Sequence, residues 1–117
     1  MTTPILTVTV QPGPSAVTVL HAEGEIDHDT RDTLKQVAMD SLRDAGGSRL
    51  VIDLSAVTFC DSGGLSLFVE LHRHTAAGGG WLHLAGACGM VRGVLQATNL
   101  DRMFTLYDSV RAAASAD

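Results

Sequence analysis

The run Asp61-Ser62-Gly63-Gly64 holds the residues whose types and spacing best suit chemistry in this chain. It lies where a loop leads into a predicted helix, so first-turn N–H groups and the positive end of the helix dipole should converge on the Ser62 hydroxyl. A phosphate there would add about −1.5 to −2 charges and three acceptor oxygens beside Asp61 and, we expect, Asp27. If Ser62 were phosphorylated, the charge of this surface would change strongly, and a partner docked around it would respond.

Two other interpretations of this run remain open from the residues alone. Asp61 and Ser62 are typical helix-capping residues, and Gly63 and Gly64 would then only allow a close approach to the sheet. Residues 60–64 also resemble the segment around the nucleophile of trypsin-like serine proteases, which further requires a His base, a buried Asp and an oxyanion hole. A two-barrel protease needs about twice this length, and the flanking segments are typical of helix and parallel strand, which argues against that activity.

Composition and charge restrict the classes of function. The 117 residues, 45% hydrophobic and 18% charged, fit one globular domain spanning 1–117. Eight Lys and Arg against 13 Asp and Glu give a net charge of −5, and aromatics are only 4%, so we expect no nucleic-acid partner. No apolar run approaches the roughly 18 residues of a membrane span, and residues 1–4 lack the features of a secretory signal. We therefore expect a cytoplasmic location and no membrane partner.

The cysteines and glycines provide no cofactor motif. Cys60 and Cys88 lack C-x-x-C spacing, and we predict two buried thiols instead of zinc ligands or a disulfide. The triple glycine at 78–80 is followed by a predicted strand and no Lys-Ser/Thr pair, so it is a turn and not a phosphate-binding loop. No metal and no cofactor are expected.

The five histidines are predicted to be structural or surface residues. His72 and His74 point to different sides of a helix and are expected on the surface, without a shared metal. His21 and His83 lie in predicted strands and are expected to be partly buried with hydrogen-bond partners. His28 follows the predicted site residue Asp27, and it either tunes that surface near neutral pH or is an ordinary first-turn residue.

Hydrophobic periodicity predicts the strands that position the run. Alternating residues predict two strands joined as an antiparallel hairpin through the turn Pro12-Gly13-Pro14, with residues 24–27 closing the unit. The continuous apolar run Leu50-Val51-Ile52-Asp53-Leu54 is typical of a central strand covered on both faces. The predicted strands are 5–10, 16–22, 50–54, 81–84 and 103–107.

Spacings of three and four predict the helices. The first begins at Asp29, with Asp27 or Asp29 as its cap, Arg31 on its outer face and a left-handed ending at Gly46-Gly47. The others cover 65–77, 90–98 and, after the cap Ser109, 110–114. The order β-β-α-β-α-β-α-β-α with right-handed crossovers predicts an α/β fold, a single mixed sheet with an N-terminal hairpin and about four helices packed against it.

Three segments together resemble a known family. Gly24-Glu25-Ile26-Asp27-His28, Leu50-Val51-Ile52-Asp53-Leu54-Ser55 and Phe59-Cys60-Asp61-Ser62-Gly63-Gly64-Leu65 are similar to the STAS domain of bacterial anti-sigma factor antagonists. The similarity spans essentially the whole chain. It depends most on the combination of a G-E-[IL]-D segment with a later D-S-x-G-[IL] segment, and it implies the STAS fold.

The resemblance implies a protein-binding switch without catalytic activity of its own. It implies that an anti-sigma factor with serine kinase activity phosphorylates Ser62, and that Asp27, Asp61, Gly63 and Gly64 form the partner-binding surface. The unphosphorylated chain would bind the anti-sigma factor and release a sigma factor, so that transcription starts. Phosphorylation would prevent this binding, and a phosphatase would restore it.

The chain departs from the commonest family pattern at two positions. Gly63 stands where Ser or Thr is frequent, and Cys60 stands where a larger apolar residue is frequent. Neither removes the candidate phosphoacceptor, although Gly63 costs backbone entropy at the helix start. A function of another class also stays open: a STAS scaffold that assembles with other STAS proteins or with a transporter's ATPase subunit, without regulated phosphorylation.

Overall fold

A mixed sheet organises the computed structural model, which describes residues 6–13 and 16–116. Residue 5 of the first predicted strand and Pro14 of the predicted turn lie outside this range. Strand order follows chain order; β1 and β2 form the predicted antiparallel hairpin, and the other neighbouring pairs are parallel. The described elements are β1 (Leu6–Pro12), β2 (Val17–Ile26), α1 (Arg31–Ala45), β3 (Arg49–Cys60), α2 (Ser62–Ala77), β4 (Trp81–Ala85), α3 (Gly89–Ala97), a 3-10 turn (Leu100–Arg102), β5 (Leu106–Tyr107) and α4 (Val110–Ser115).

Helices cover the two faces of the sheet unequally. The larger core lies on one face, where Leu34 of α1, Phe68 of α2 and Leu95 of α3 are completely buried with the inward-facing strand residues. On the other face, the six-residue α4 packs Ala113 against a smaller cluster that includes Val51 of β3. This arrangement confirms the predicted α/β fold, with β3 between β2 and β4 as the central strand.

The predicted helix ends are confirmed at three places. Gly46 ends α1 with a φ of 66°, the left-handed conformation that glycine adopts without a Cβ penalty. Helix α2 ends at Ala77, directly before the glycines at 78–80. Ser109 caps α4, because its hydroxyl accepts a hydrogen bond from the N–H of Ala112 at 3.1 Å.

Strands β2 and β3 extend further than the alternation predicts. They run to Ile26 and Cys60, whereas the pattern ends at residues 22 and 54. The β2–β3 register shifts twice, one of the shifts next to Gly24, which has a φ of 117°. A bulge adds a residue to one strand and breaks the period of two, so the pattern ends where the strand continues. The extra length brings Ile26 and Cys60 together just before the loops that begin α1 and α2.

The prediction of a strand over 103–107 is wrong for most of its length. Only Leu106–Tyr107 pair with β4, and the N–H of Phe104 instead donates to the carbonyl of Leu100 in a turn. Phe104 is completely buried and meets Phe68 edge to face, with ring centroids 6.3 Å apart. Phe104 therefore fills the core from a turn, a role that hydrophobicity alone does not separate from that of a strand residue.

The histidine predictions are confirmed for the strand residues. His21 is half-buried, with Nδ1 at 2.8 Å from Oδ2 of Asp53, and His83 is buried with a backbone partner. The prediction of a surface position is wrong for His72. Its ring packs edge-on against Phe104 at a centroid distance of 5.5 Å, and the side chain is half-buried.

The Asp53 carboxylate should make the free energy of unfolding depend on pH in the acidic range. Burial by itself would raise the pKa of Asp53, but hydrogen bonds from Ser55 and His21 outweigh burial and hold the pKa below its usual range. The unfolded chain then binds the proton more readily, so this stabilisation is present above the unfolded pKa and is lost as pH falls through the folded pKa.

We expect Asp53→Asn to lower the free energy of unfolding by about 1–2 kcal/mol at neutral pH, and by much less near pH ~3. Urea denaturation at the two pH values measures the difference. The matched control is Asp44→Asn, since Asp44 is exposed on α1 and its side chain has no hydrogen bond within the described residues. An equal loss for Asp53→Asn at both pH values would contradict this account.

Candidate functional site

Ser62 is the first residue of α2, and it is exposed. Asp61, directly before it, is the helix N-cap. Its Oδ1 accepts hydrogen bonds from the N–H groups of Gly63 at 2.8 Å and Gly64 at 3.3 Å, and its carbonyl accepts the N–H of Leu65. Asp61 therefore caps the helix, as one of the alternatives predicted. The expectation that first-turn N–H groups converge on the Ser62 hydroxyl is wrong, because the Asp61 carboxylate takes two of them.

The loop between β2 and α1 is ordered by Asp27. Its Oδ1 accepts hydrogen bonds from the N–H groups of Asp29 at 2.9 Å and Thr30 at 2.8 Å, and Thr30 Oγ1 accepts the N–H of Asp27 at 2.9 Å. The predicted capping of α1 by Asp27 or Asp29 is wrong, since Thr30 is the N-cap and these bonds precede the helix. The hydrogen bond from the Thr30 backbone is the main cause that holds the pKa of Asp27 below its usual range.

This loop and the start of α2 lie against each other. The N–H of Asp61 donates to the last carbonyl of β2 at 3.2 Å, and the N–H of His28 donates to Oδ2 of Asp61 at 3.3 Å. A Cβ built on Gly63 would lie 2.8 Å from Cα of His28. The structure therefore brings the loop of Asp27 next to Asp61 and Gly63, and Ser62 lies exposed beside them.

Gly64 is buried beneath this surface. A Cβ on Gly64 would lie 2.6 Å from Sγ of Cys60 and 2.8 Å from Cγ2 of Ile26, so the residue allows α2 to pack directly on the strand ends. Burial, and secondarily the charge of Asp61, raises the pKa of the Cys60 thiol to about 12. The prediction of two buried thiols is confirmed for Cys60 and is wrong for Cys88, which is exposed.

Arg31 belongs to this site, although the sequence pattern places it on the outer face of α1. Its side chain is only 23% exposed; Nε donates to the carbonyl of Gly63 at 3.1 Å, and Nη2 donates to Glu70 at 3.3 Å. Lys35 donates to the other carboxylate oxygen of Glu70 at 2.8 Å, and this bond is the main cause that lowers the pKa of Glu70. The two hydrogen-bond partners of Arg31 are 32 and 39 residues away, so no local pattern indicates these contacts.

A groove of about 510 Å³ runs between α1 and α2, beyond the first turn of α2. It is lined by Arg31, Ser66, Val69, Glu70 and Arg73.

Within residues 6–13 and 16–116, no three His, Cys, Asp or Glu side chains are grouped to hold a metal ion. No helix in that part of the chain combines the length and apolarity needed to cross a bilayer.

Comparison with known proteins identifies the family. The profile of the STAS domain matches residues 6–113, and the chain therefore belongs to the STAS domain family. The family predicted from the three sequence segments is confirmed, and the mixed sheet with its helices is the fold expected for it.

Several relatives share the sequence or the fold. The crystal structure of an anti-sigma factor antagonist from Mycobacterium paratuberculosis is similar with a TM-score of 0.81 and 31% identity, over 97% of this chain and 95% of that chain. A Thermotoga maritima protein with a provisional assignment to the same role is 28% identical over 97 residues, which are 83% of this chain and 86% of that protein. The anti-sigma factor antagonist SpoIIAA in its unphosphorylated form has the same fold, with a TM-score of 0.76 at 19% identity over 91% of this chain and 92% of that chain.

Because α2 lies close to the β2–α1 loop, a side chain at position 63 should destabilise the fold. Gly63→Ala should lower the free energy of unfolding by about 1–2 kcal/mol, because the new Cβ would force the His28 backbone away. The matched control is Gly93→Ala in α3, where nothing lies within 4 Å of an added Cβ. That variant should gain up to about 1 kcal/mol from helix propensity. Thermal and urea unfolding measure both, and stabilisation by Gly63→Ala would refute the predicted clash.

The different environments of the two thiols predict selective alkylation. In the native chain, Cys88 should react with a maleimide or disulfide reagent at the rate of a free thiol. Cys60 should react more than about 100-fold more slowly, because it is buried and its thiolate is scarce. Mass spectrometry of wild type and Cys88→Ser measures this, with the denatured chains as a control in which every thiol reacts. Fast native labelling of Cys88→Ser would contradict the prediction.

Proposed function

We propose that this chain is an anti-sigma factor antagonist whose binding is switched by phosphorylation of Ser62. The unphosphorylated chain binds an anti-sigma factor, which then releases a sigma factor. The main observation in favour is the exposed Ser62 at the start of α2, beside an acidic loop that hydrogen bonds hold in place. Membership of the STAS family and 31% identity to an anti-sigma factor antagonist support the same role.

The switching step transfers the γ-phosphoryl group of ATP, bound by the anti-sigma factor, to Oγ of Ser62. A bond forms between Oγ and the γ-phosphorus, the bond from that phosphorus to the bridging oxygen of the departing ADP breaks, and the hydroxyl proton passes to a base on the kinase. The Ser62 hydroxyl makes no hydrogen bond to the described residues, so no internal contact must break first. A phosphatase that hydrolyses the phosphoserine restores the binding form.

The phosphate acts by changing the surface, since the first turn of α2 has little left to bind it. The N–H groups of Gly63, Gly64 and Leu65 already have acceptors in Asp61, which leaves the N–H of Ser62 itself. About −1.5 to −2 charges are therefore added to a surface that already carries acidic side chains. A partner that fits the neutral hydroxyl then meets both added bulk and charge repulsion.

The partner-binding surface consists of Asp27, Asp61, Ser62 and Gly63 in this proposal. Gly64 contributes from below, because its lack of a side chain lets α2 lie close to the strand ends. The role requires no cofactor and no catalytic residue in this chain. It also places the chain in the cytoplasm, where sigma factors and their inhibitors act.

Phosphorylation in vitro tests the modified residue. Each ATP-binding anti-sigma factor of the serine-kinase type encoded in the source genome is purified and mixed with the chain and Mg-ATP. One of them should add a single phosphate to the wild type, detected by intact mass, and none to Ser62→Ala. The matched control is Ser66→Ala, because Ser66 is an exposed serine one helical turn later, and it should be phosphorylated as the wild type is. Phosphate on Ser62→Ala would place the switch elsewhere.

Binding to that anti-sigma factor tests the effect of charge. Ser62→Ala should bind within about 3-fold of wild type, and Ser62→Asp should bind at least about 10-fold more weakly, measured by titration calorimetry. Ser115→Asp adds the same charge on α4, across the sheet, and should bind as wild type does. Equal binding by all variants would mean that Ser62 lies outside the interface. An unmodified chain that instead forms a stable complex with a transporter subunit would support the scaffold function.

A further inference from the structure

We propose that Arg31 is the internal counter-charge for a phosphate on Ser62. This rests on the proposed phosphorylation and concerns how the phosphorylated chain holds its new charge. Arg31 Nε lies 3.1 Å from the carbonyl oxygen of Gly63, the residue directly after Ser62. Among the described residues, no other Lys or Arg side chain makes a hydrogen bond to the first turn of α2.

The surroundings of Ser62 create the need for a positive group. Asp61 directly precedes Ser62 and Asp27 lies in the neighbouring loop, and the N–H groups of Gly63 and Gly64 that a phosphate would otherwise use are bound to the Asp61 carboxylate. The helix N-terminus therefore offers the phosphate little beyond the N–H of Ser62. A nearby guanidinium matches a phosphate in geometry and charge, since it can donate two parallel hydrogen bonds to two oxygens.

Arg31 can leave its ion pair with Glu70 without leaving Glu70 unpaired, and its other carboxylate contact, from Nη1 to Asp32 at 3.8 Å, is to a side chain that is 86% exposed. Arg31 shares Glu70 with Lys35, and the Lys35 contact is the shorter of the two, 2.8 Å against 3.3 Å. Glu70 therefore stays paired when Arg31 turns away. The Glu70 side chain is 45% exposed, so water partly screens its attraction to the less exposed Arg31. A phosphate with nearly two charges attracts the guanidinium more strongly than a carboxylate that another cation already holds.

The polar contacts of Arg31 suit this exchange. Nε is held by the Gly63 carbonyl, which anchors the guanidinium beside the first turn, whereas the terminal Nη2 carries the bond to Glu70.

The test uses chain with phosphoserine inserted at position 62 during translation, so that no kinase is needed. The second ionisation of phosphoserine lies at about pH 6, and ³¹P NMR follows it directly. A nearby cation favours the doubly charged phosphate and lowers the midpoint, so Arg31→Gln should raise the midpoint by about 0.5 pH unit. Arg31→Lys should reverse at least half of the shift caused by Arg31→Gln, because lysine keeps the positive charge. Comparison of the Lys and Gln variants separates charge from packing, and amide spectra confirm that each variant is folded.

Two further variants serve as controls. Arg73→Gln removes a cation that lines the same groove without a hydrogen bond to the first turn, and it should leave the midpoint unchanged. His28→Gln removes the histidine of the neighbouring loop. Equal midpoints for wild type and Arg31→Gln overturn the proposal, and so does a midpoint that moves only with His28→Gln. These outcomes do not depend on partner binding. The NMR test can therefore refute the role of Arg31 while Ser62→Asp still weakens partner binding, and the binding test can fail while the NMR result supports Arg31.

Discussion

The carboxylate of Asp61 is the interaction on which the candidate site depends. One oxygen accepts two N–H groups of the first turn of α2, and the other accepts the N–H of His28 in the β2–α1 loop. A single side chain therefore fixes both where α2 begins and how closely the neighbouring loop approaches it. The exposure of Ser62 follows, because the residue next to the cap points to solvent once the cap occupies the helix N-terminus.

In this arrangement the Ser62 hydroxyl is not needed to cap the helix, because Asp61 accepts the first-turn N–H groups. Asp61 satisfies the helix end, while Gly63 and Gly64 permit contacts in which a Cβ would lie within 3 Å of a neighbouring residue. A hydroxyl that no internal group needs can be modified without cost to the fold. In the proposed function, this separation of the helix cap from the phosphoacceptor suits a serine that is phosphorylated and dephosphorylated while the domain stays folded.

The fold supports the site but does not by itself specify a function. SpoIIAA has this fold at 19% identity, which shows how loosely the sheet and helices constrain the residues on them. The sequence resemblance leads one to expect Ser or Thr at position 63, whereas in this chain the space that a side chain on Gly63 would need is filled by the His28 backbone. The entropy cost of this glycine is thus tied to the close packing of the loop.

Local sequence was sufficient for the element order, the hairpin, the central strand at 50–54, the glycine end of α1 and the capped start of α2. Each of these depends on alternation, helical spacing or a residue preference within a few positions, and such signals survive in the linear chain. The family resemblance added the candidate phosphoacceptor. Tertiary structure alone decided the bulges that lengthen β3, the exposure of Cys88 and the role of Asp27 in the loop. It also placed Arg31 on Gly63, a contact between residues 32 positions apart that forms only when α1 and α2 pack together.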